Sequence, residues 1–178
     1  NTHGMTIFDV EKTSTSHGGS LRVFVKKKGA RHTVTSAVNA FLKKERDSGL
    51  HTLVPYKAFA ARIEQNKKDF LEMVNRLKKD GKRIAGYGAS AKGNTLLNYF
   101  GIDAAVLDCI ADDSPWKQGL LTPGMRIPVV APEELKKRKP DYVLILAWNF
   151  AKEIMEKLSW FKEQGGKFII PVPRPKVL

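Results

Sequence analysis

The chain has 178 residues, with 42% hydrophobic and 28% charged positions, which suffices for one real core, or for one domain and a remnant of a second. No apolar run approaches the ~20 residues of a membrane-spanning helix, no signal peptide opens the chain, and a single cysteine excludes an internal disulfide and a cysteine-built zinc site. The formal charge of +13 is spread along the chain, and no nucleic-acid-binding motif accompanies Lys26-Lys27-Lys28 or Lys136-Lys137-Arg138-Lys139, so it points to an anionic small molecule rather than to nucleic acid or a membrane.

Residues 1–28 read as two strands, 5–11 and 21–25, in which Ile7, Val10, Leu21, Val23 and Val25 recur near period two. Two strands alone are marginal, so they call for a larger sheet. Residues 29–80 read as helical. Thr35 or Ser36 caps a first helix that runs to about Asp47 and is closed by Gly49. Pro55 begins a second, with Phe59, Ile63, Phe70, Val74 and Leu77 on one face and Lys67, Lys68, Lys78 and Lys79 leaving a basic outer face. Such a helix serves as a connector, a lid or a partner-binding surface.

Residues 81–178 alternate strand and helix. The strands are 83–87, 106–111, 128–130, 142–146 and 168–171, and the helices 92–100, 132–137 and 149–164. This pattern predicts an α/β fold, a Rossmann-like three-layer domain with a mostly parallel sheet. Ligands in such folds bind beyond the carboxyl ends of the strands, which selects the loops 86–94, 112–122, 131–132 and 147–149. Cys109 falls in an apolar run and reads as a buried, inert thiol in a cytoplasmic protein.

The motifs sit in those loops. Gly86-Tyr87-Gly88-Ala89-Ser90-Ala91 satisfies the dinucleotide fingerprint in its Gly/Ala form, between a strand and a helix, and Asp112 and Asp113 stand where a ribose-binding acid is expected. The backbone N–H groups of such a turn and the positive end of the helix favour a phosphate. Lys92 adds a full positive charge, with Gly93, Asn94 and Thr95 completing the segment. Gly88 and Gly93 also have P-loop spacing, but Asn94-Thr95 replaces the required Lys-Ser/Thr, which argues against nucleotide hydrolysis. Asp112 and Asp113 can accept from sugar hydroxyls, Lys117 can pair with phosphate, Trp148 can stack on a base or sugar, and Asn149 can both donate and accept. His17-Gly18-Gly19-Ser20 forms a possible second site. The four histidines show no metal-ligand spacing, and no catalytic residue can be assigned. These residues leave a nucleotide-diphosphate holder, an NAD-binding oxidoreductase domain and a non-catalytic interaction module all open.

Five segments occur in order: His17-Gly18-Gly19-Ser20-Leu21-Arg22, residues 86–98 from Gly86 to Asn98, Asp112-Asp113-Ser114-Pro115-Trp116-Lys117-Gln118-Gly119, Thr122-Pro123-Gly124, and Ala147-Trp148-Asn149. Together they resemble the C-terminal domain of the S-adenosylmethionine-dependent C-methyltransferases that act on nucleotide-linked deoxysugars. The resemblance implies a three-part enzyme: a zinc domain, a central methyltransferase domain and this substrate-holding domain. Residues 1–28 would then be closing strands of the central domain's sheet, 29–80 a connector, and 81–178 the nucleotide-sugar-binding domain. It also implies that a general base in the intact enzyme removes a proton beside a sugar keto group, and that the enolate takes the cofactor's methyl group. The family's zinc cysteines and S-adenosylmethionine-binding loop have no counterpart in these residues, and the family's proton-accepting residues fall upstream of them. The expectation is that this chain binds substrate but holds neither cofactor and does not methylate alone.

Overall fold

The structure is a computed structural model that describes residues 3–13 and 19–178. The chain divides into two compact units, residues 1–62 and 63–178.

In the first unit, strands β1 (Met5–Thr13) and β2 (Ser20–Lys27) pair antiparallel, with Ile7 opposite Val25 and Val10 opposite Val23. A bulge between Ile7 and Asp9 shifts the register. Phe8 and Phe24 meet with ring centroids 6.0 Å apart, and His32 stacks on Phe8 at 4.7 Å, which makes this histidine a packing residue. Helix α1 (Ser36–Asp47) packs on β1. Thr35 precedes it, but its hydroxyl donates to the Asp9 carboxylate at 2.6 Å instead of capping the helix. No described residue of this unit is buried, and Met5, Ile7, Leu21, Val23 and Val25 stay exposed on the hairpin.

Helix α2 (Val54–Lys79) begins in the first unit and ends in the second. Its buried residues Asn66, Phe70, Val74 and Leu77 recur at helical spacing and form one stripe. Three of them are apolar and Asn66 is not.

The second unit is built on a six-stranded sheet. Its strands are β3 (Ile84–Tyr87), β4 (Ile110–Ala111), β5 (Val129–Val130), β6 (Tyr142–Ile145), β7 (Lys167–Ile170) and β8 (Lys176–Val177). They lie in the order β5-β4-β3-β6-β7-β8, and every neighbouring pair is parallel except β7 and β8. Helix α3 (Ala91–Phe100) links β3 to β4, α4 (Glu134–Arg138) leads into β6, and α5 (Ala151–Lys157) and α6 (Ser159–Glu163) link β6 to β7. The two-residue alternation of a strand explains the two cores. Ile84, Leu144, Leu146 and Ile169 pack with α2 and α3, while Ala85, Tyr87, Val143, Ile145, Phe168 and Ile170 pack with α4, α5 and α6. Strands buried on both faces read as unbroken apolar runs, as these do.

Several expected elements differ. Strand 106–111 shrinks to Ile110–Ala111, because Asp103 accepts from the N–H groups of Ala105, Val106 and Leu107 and folds that approach into a turn. The helix expected over 149–164 is three pieces: a 3-10 turn at Trp148–Phe150, then α5 and α6, separated at Leu158 with φ −98° and ψ 28°. Leu158 is itself buried, and the break lets Ile154, Leu158 and Phe161 all join one core. The antiparallel β8 has no clear pattern in sequence. Cys109 is fully buried, and that burial pushes its thiol pKa up, as an inert thiol requires. Among the described residues, no helix is long and apolar enough to cross a membrane.

Candidate functional site

The strand order places β3 between β4 and β6, so the chain leaves β3 in one direction and later returns on its other side. Ligands of open parallel sheets bind beyond the carboxyl ends of the strands at such a reversal, here the ends of β3 and β6.

The glycine turn after β3 is held by the chain's own packing. A Cβ on Gly86 would lie 2.9 Å from Ile110 Cγ1 and 3.2 Å from Leu146 Cδ1. One on Gly88, at φ +87°, would lie 2.8 Å from Ala147 Cβ, and one on Gly93 would lie 2.7 Å from Leu146 Cβ. Ser90 caps α3: its Oγ accepts from the Gly93 N–H at 3.0 Å and donates to the Leu146 carbonyl at 3.3 Å. Turn and helix are thereby fastened to the end of β6.

That fastening uses several of the donors expected to face a phosphate. The Ala89 N–H donates to Asp112 Oδ2 at 2.7 Å, and the Ser90 N–H to the Gly88 carbonyl at 2.7 Å. The N–H groups of Ala91 and Lys92, the first two of α3, meet no acceptor among the described residues. The Lys92 side chain is exposed and likewise has no hydrogen-bond or ion-pair partner among them. Two free N–H groups, a helix dipole and an unpaired ammonium thus coincide on one turn. Thr95 turns its hydroxyl to the Ala91 carbonyl at 3.1 Å, and the Asn94 side-chain oxygen is buried without a partner among the described residues.

Asp112 and Lys117, expected on sugar hydroxyls and phosphate, are engaged with the turn itself. Asp112 is buried. Its Oδ2 accepts from Ala89 N–H and from Lys117 Nζ at 3.2 Å, and its Oδ1 accepts from Ser114 N–H at 2.9 Å. Lys117 also donates to the Ala89 carbonyl at 3.0 Å. The pair ties the loop after β4 to the turn after β3. Thr122-Pro123-Gly124 works similarly: Asn98 of α3 donates to the Pro123 carbonyl at 3.1 Å.

Tyr87 and Asp113 lie on the opposite face. The buried Tyr87 hydroxyl donates to Asp113 Oδ1 at 2.9 Å, and Lys157 of α5 pairs with the same oxygen. Burial pushes the Tyr87 phenol above its ordinary pKa, with Asp113 adding to the rise against the pull of Lys157. For Asp113, partial burial acts upward, but the hydrogen bonds from Lys157 and Tyr87 outweigh it and its pKa falls. Lys157 is raised, by Asp113 first and then Tyr87. A depressed carboxylate contributes stability above its unfolded pKa, about 3.9, and loses it as pH falls through the folded value. A raised lysine contributes below its unfolded pKa, about 10.4, and loses it as pH rises through the folded value. The stability difference between the native chain and Asp113→Asn is therefore expected to be flat from about pH 5 to 9 and to close at more acidic pH, as urea unfolding across pH will show. It should be small, since the two side chains are 57% and 50% exposed.

Trp148 is half-buried and packs against both cores, while Asn149 lies exposed within the 3-10 turn and is not the cap of α5. The possible second site falls partly outside the described residues, which exclude His17 and Gly18. Gly19 there has φ +114°, and Ser20 opens β2. Among the described residues, no group of three or more His, Cys, Asp or Glu is placed to hold a metal ion. Two polar residues of the second unit escaped the sequence reading. Lys157 looked like any helix-surface lysine. Asn66 carried a usable signal, a polar residue four before Phe70 in an otherwise apolar stripe.

Comparison with known proteins bears on this geometry. Residues 15–173 match the model of a family described as the C-methyltransferase C-terminal domain. Over 176 residues the chain is 41% identical to the C-methyltransferase NovU of Streptomyces niveus. That match takes in 99% of this chain and 42% of the relative, so the chain spans less than half the length of that protein.

Proposed function

The chain belongs to the C-methyltransferase C-terminal domain family, and from that premise we propose that its second unit holds the nucleotide-sugar substrate of an S-adenosylmethionine-dependent C-methyltransferase. In this reading the unit is a Rossmann-like domain whose α3 N-terminus receives the diphosphate. The observation that carries it is the coincidence of the free Ala91 and Lys92 N–H groups with the unpaired Lys92 side chain, beyond the carboxyl end of β3. In this reading Trp148 and Asn149, in the 3-10 turn that follows β6, meet the nucleoside or sugar. The domain's contribution is positioning: binding energy gathered on the diphosphate orients the reacting carbon elsewhere on the substrate. S-adenosylmethionine supplies the methyl group in the whole cytoplasmic enzyme and is held outside these residues, as is zinc. The exposed apolar hairpin of the first unit joins the sheet of an upstream methyltransferase domain, which the greater length of the relative supports.

A dinucleotide reading draws less support. It asks the acid after β4 to receive ribose hydroxyls, whereas Asp112 is buried with both oxygens accepting from the chain. Calorimetric titration with thymidine diphosphate, NAD and S-adenosylmethionine in parallel separates the readings. Thymidine diphosphate is expected to bind, more weakly at high salt, and Lys92→Ala to weaken it about tenfold. Binding of NAD with indifference to Lys92 would instead favour an oxidoreductase domain.

A further inference from the structure

Trp116 is 89% exposed, more than any other large hydrophobic residue among those described. A lone surface leucine is ordinary, but tryptophan is on average a highly buried residue, and its indole is the largest apolar group a chain can leave in water. The segment that presents it is firmly built. Residues 114–117 form a turn closed by the Lys117 N–H on the Ser114 carbonyl at 3.0 Å, and Pro115 takes the second position, where its fixed φ suits a turn. On one side the Ser114 N–H donates to Asp112 Oδ1 and Gln118 Nε2 to the Asp112 carbonyl, each at 2.9 Å. On the other the Gly119 N–H donates to the Val129 carbonyl at 2.9 Å. A loop already fixed in this way loses little freedom when it binds.

The loop is also tied to the turn that opens α3. Lys117, the neighbour of Trp116, donates to the Ala89 carbonyl at 3.0 Å. A stretched lysine spans about 6 Å and adjacent Cα atoms lie about 3.8 Å apart, so the Trp116 backbone is within about 13 Å of that carbonyl. The ribose and base of a nucleotide held by its phosphates at α3, met by an indole, cover such an interval. The order β4-β3-β6 sets the loop after β4 and the turn after β6 on opposite sides of the α3 turn, so a nucleoside over the first leaves the sugar for the second. Trp148, in the turn after β6, is half-buried against both cores, which makes Trp116 the freer of the two rings. Resting on the diphosphate reading above, we propose that Trp116 stacks on the base of the bound nucleotide.

Thymidine diphosphate and inorganic pyrophosphate test this, because the second offers the charge without the base. Calorimetry is expected to show Trp116→Ala binding thymidine diphosphate about tenfold more weakly than the native chain, and pyrophosphate equally well. Trp116→Phe keeps a π face and should recover most of the loss. Uridine diphosphate should lose as much as thymidine diphosphate, since stacking reads the face of a base and not its edge. On the native chain thymidine diphosphate should shield tryptophan emission from acrylamide, and pyrophosphate should not; the shielding should be absent in Trp116→Phe. An exposed ring supports no core, so Trp116→Ala and the native chain should unfold at the same urea concentration. Unchanged binding of thymidine diphosphate by Trp116→Ala, or equal losses for both probes, would overturn the proposal; binding that still depended on Lys92 would then leave the diphosphate reading standing. Failure of both probes to bind the native chain would remove that reading and this inference with it.

Discussion

Gly88→Ala is expected to lower the stability of the second unit by about 2–5 kcal/mol, the sum of two separate costs. The first is backbone strain: φ is +87° at Gly88, where an L side chain costs about 1–2 kcal/mol. The second is overpacking, since the new Cβ would sit 2.8 Å from Ala147 Cβ inside a buried turn, which costs about 1–3 kcal/mol. Gly119 separates them. Its φ is +83°, but nothing lies within 4 Å of its Cβ, so Gly119→Ala should show the strain alone. Adding Ala147→Gly to Gly88→Ala should restore the packing share and leave the strain. Urea unfolding followed by tryptophan fluorescence reads this directly, because Trp116, Trp148 and Trp160 all belong to the second unit. Equal losses for Gly88→Ala and Gly119→Ala would mean that β6 does not press on the turn.

Asp112→Ala should have the next largest effect, about 2–4 kcal/mol. It leaves the Ala89 and Ser114 N–H groups without their acceptor and removes the counter-charge of Lys117. The loss should exceed that of Lys117→Ala, because the lysine is 46% exposed and partly solvated. Asp112→Asn should fall between them, since one amide oxygen can serve one of the two N–H groups. Thymidine diphosphate should bind Asp112→Ala at least as poorly as it binds Lys92→Ala, although Asp112 touches no ligand in this reading. An Asp112→Ala chain with native stability and unchanged binding would show that the turn holds its shape without the carboxylate.

The two predictions concern the same feature from opposite sides. A glycine turn invites a reading in which glycine makes room for a ligand. Here Gly86 makes room for Ile110 of β4, Gly88 and Gly93 make room for Leu146 and Ala147 just beyond β6, and Asp112 takes a turn donor that a phosphate would otherwise use. Of the donors on this turn, the two N–H groups and one ammonium on the first turn of α3 are left without a partner among the described residues.

The sequence alone was sufficient for features set by local pattern. Unbroken apolar runs and the alternation of strands with helices located most elements of the second unit within a few residues, because periodicity acts over a handful of positions. Period-two residues likewise located the β1–β2 hairpin, and the ordered motifs carried the family. Tertiary structure alone decided what those residues touch. The shortened β4 depends on a turn built around Asp103, and the split at Leu158 on three side chains reaching one core. Asp112 meets Ala89 across 23 positions, Lys157 meets Asp113 across 44, and Asn66 meets Pro171 across 105. No local preference encodes such pairs. They form because packing helices on both faces of one sheet brings distant polar groups together, and those taken out of water must find partners.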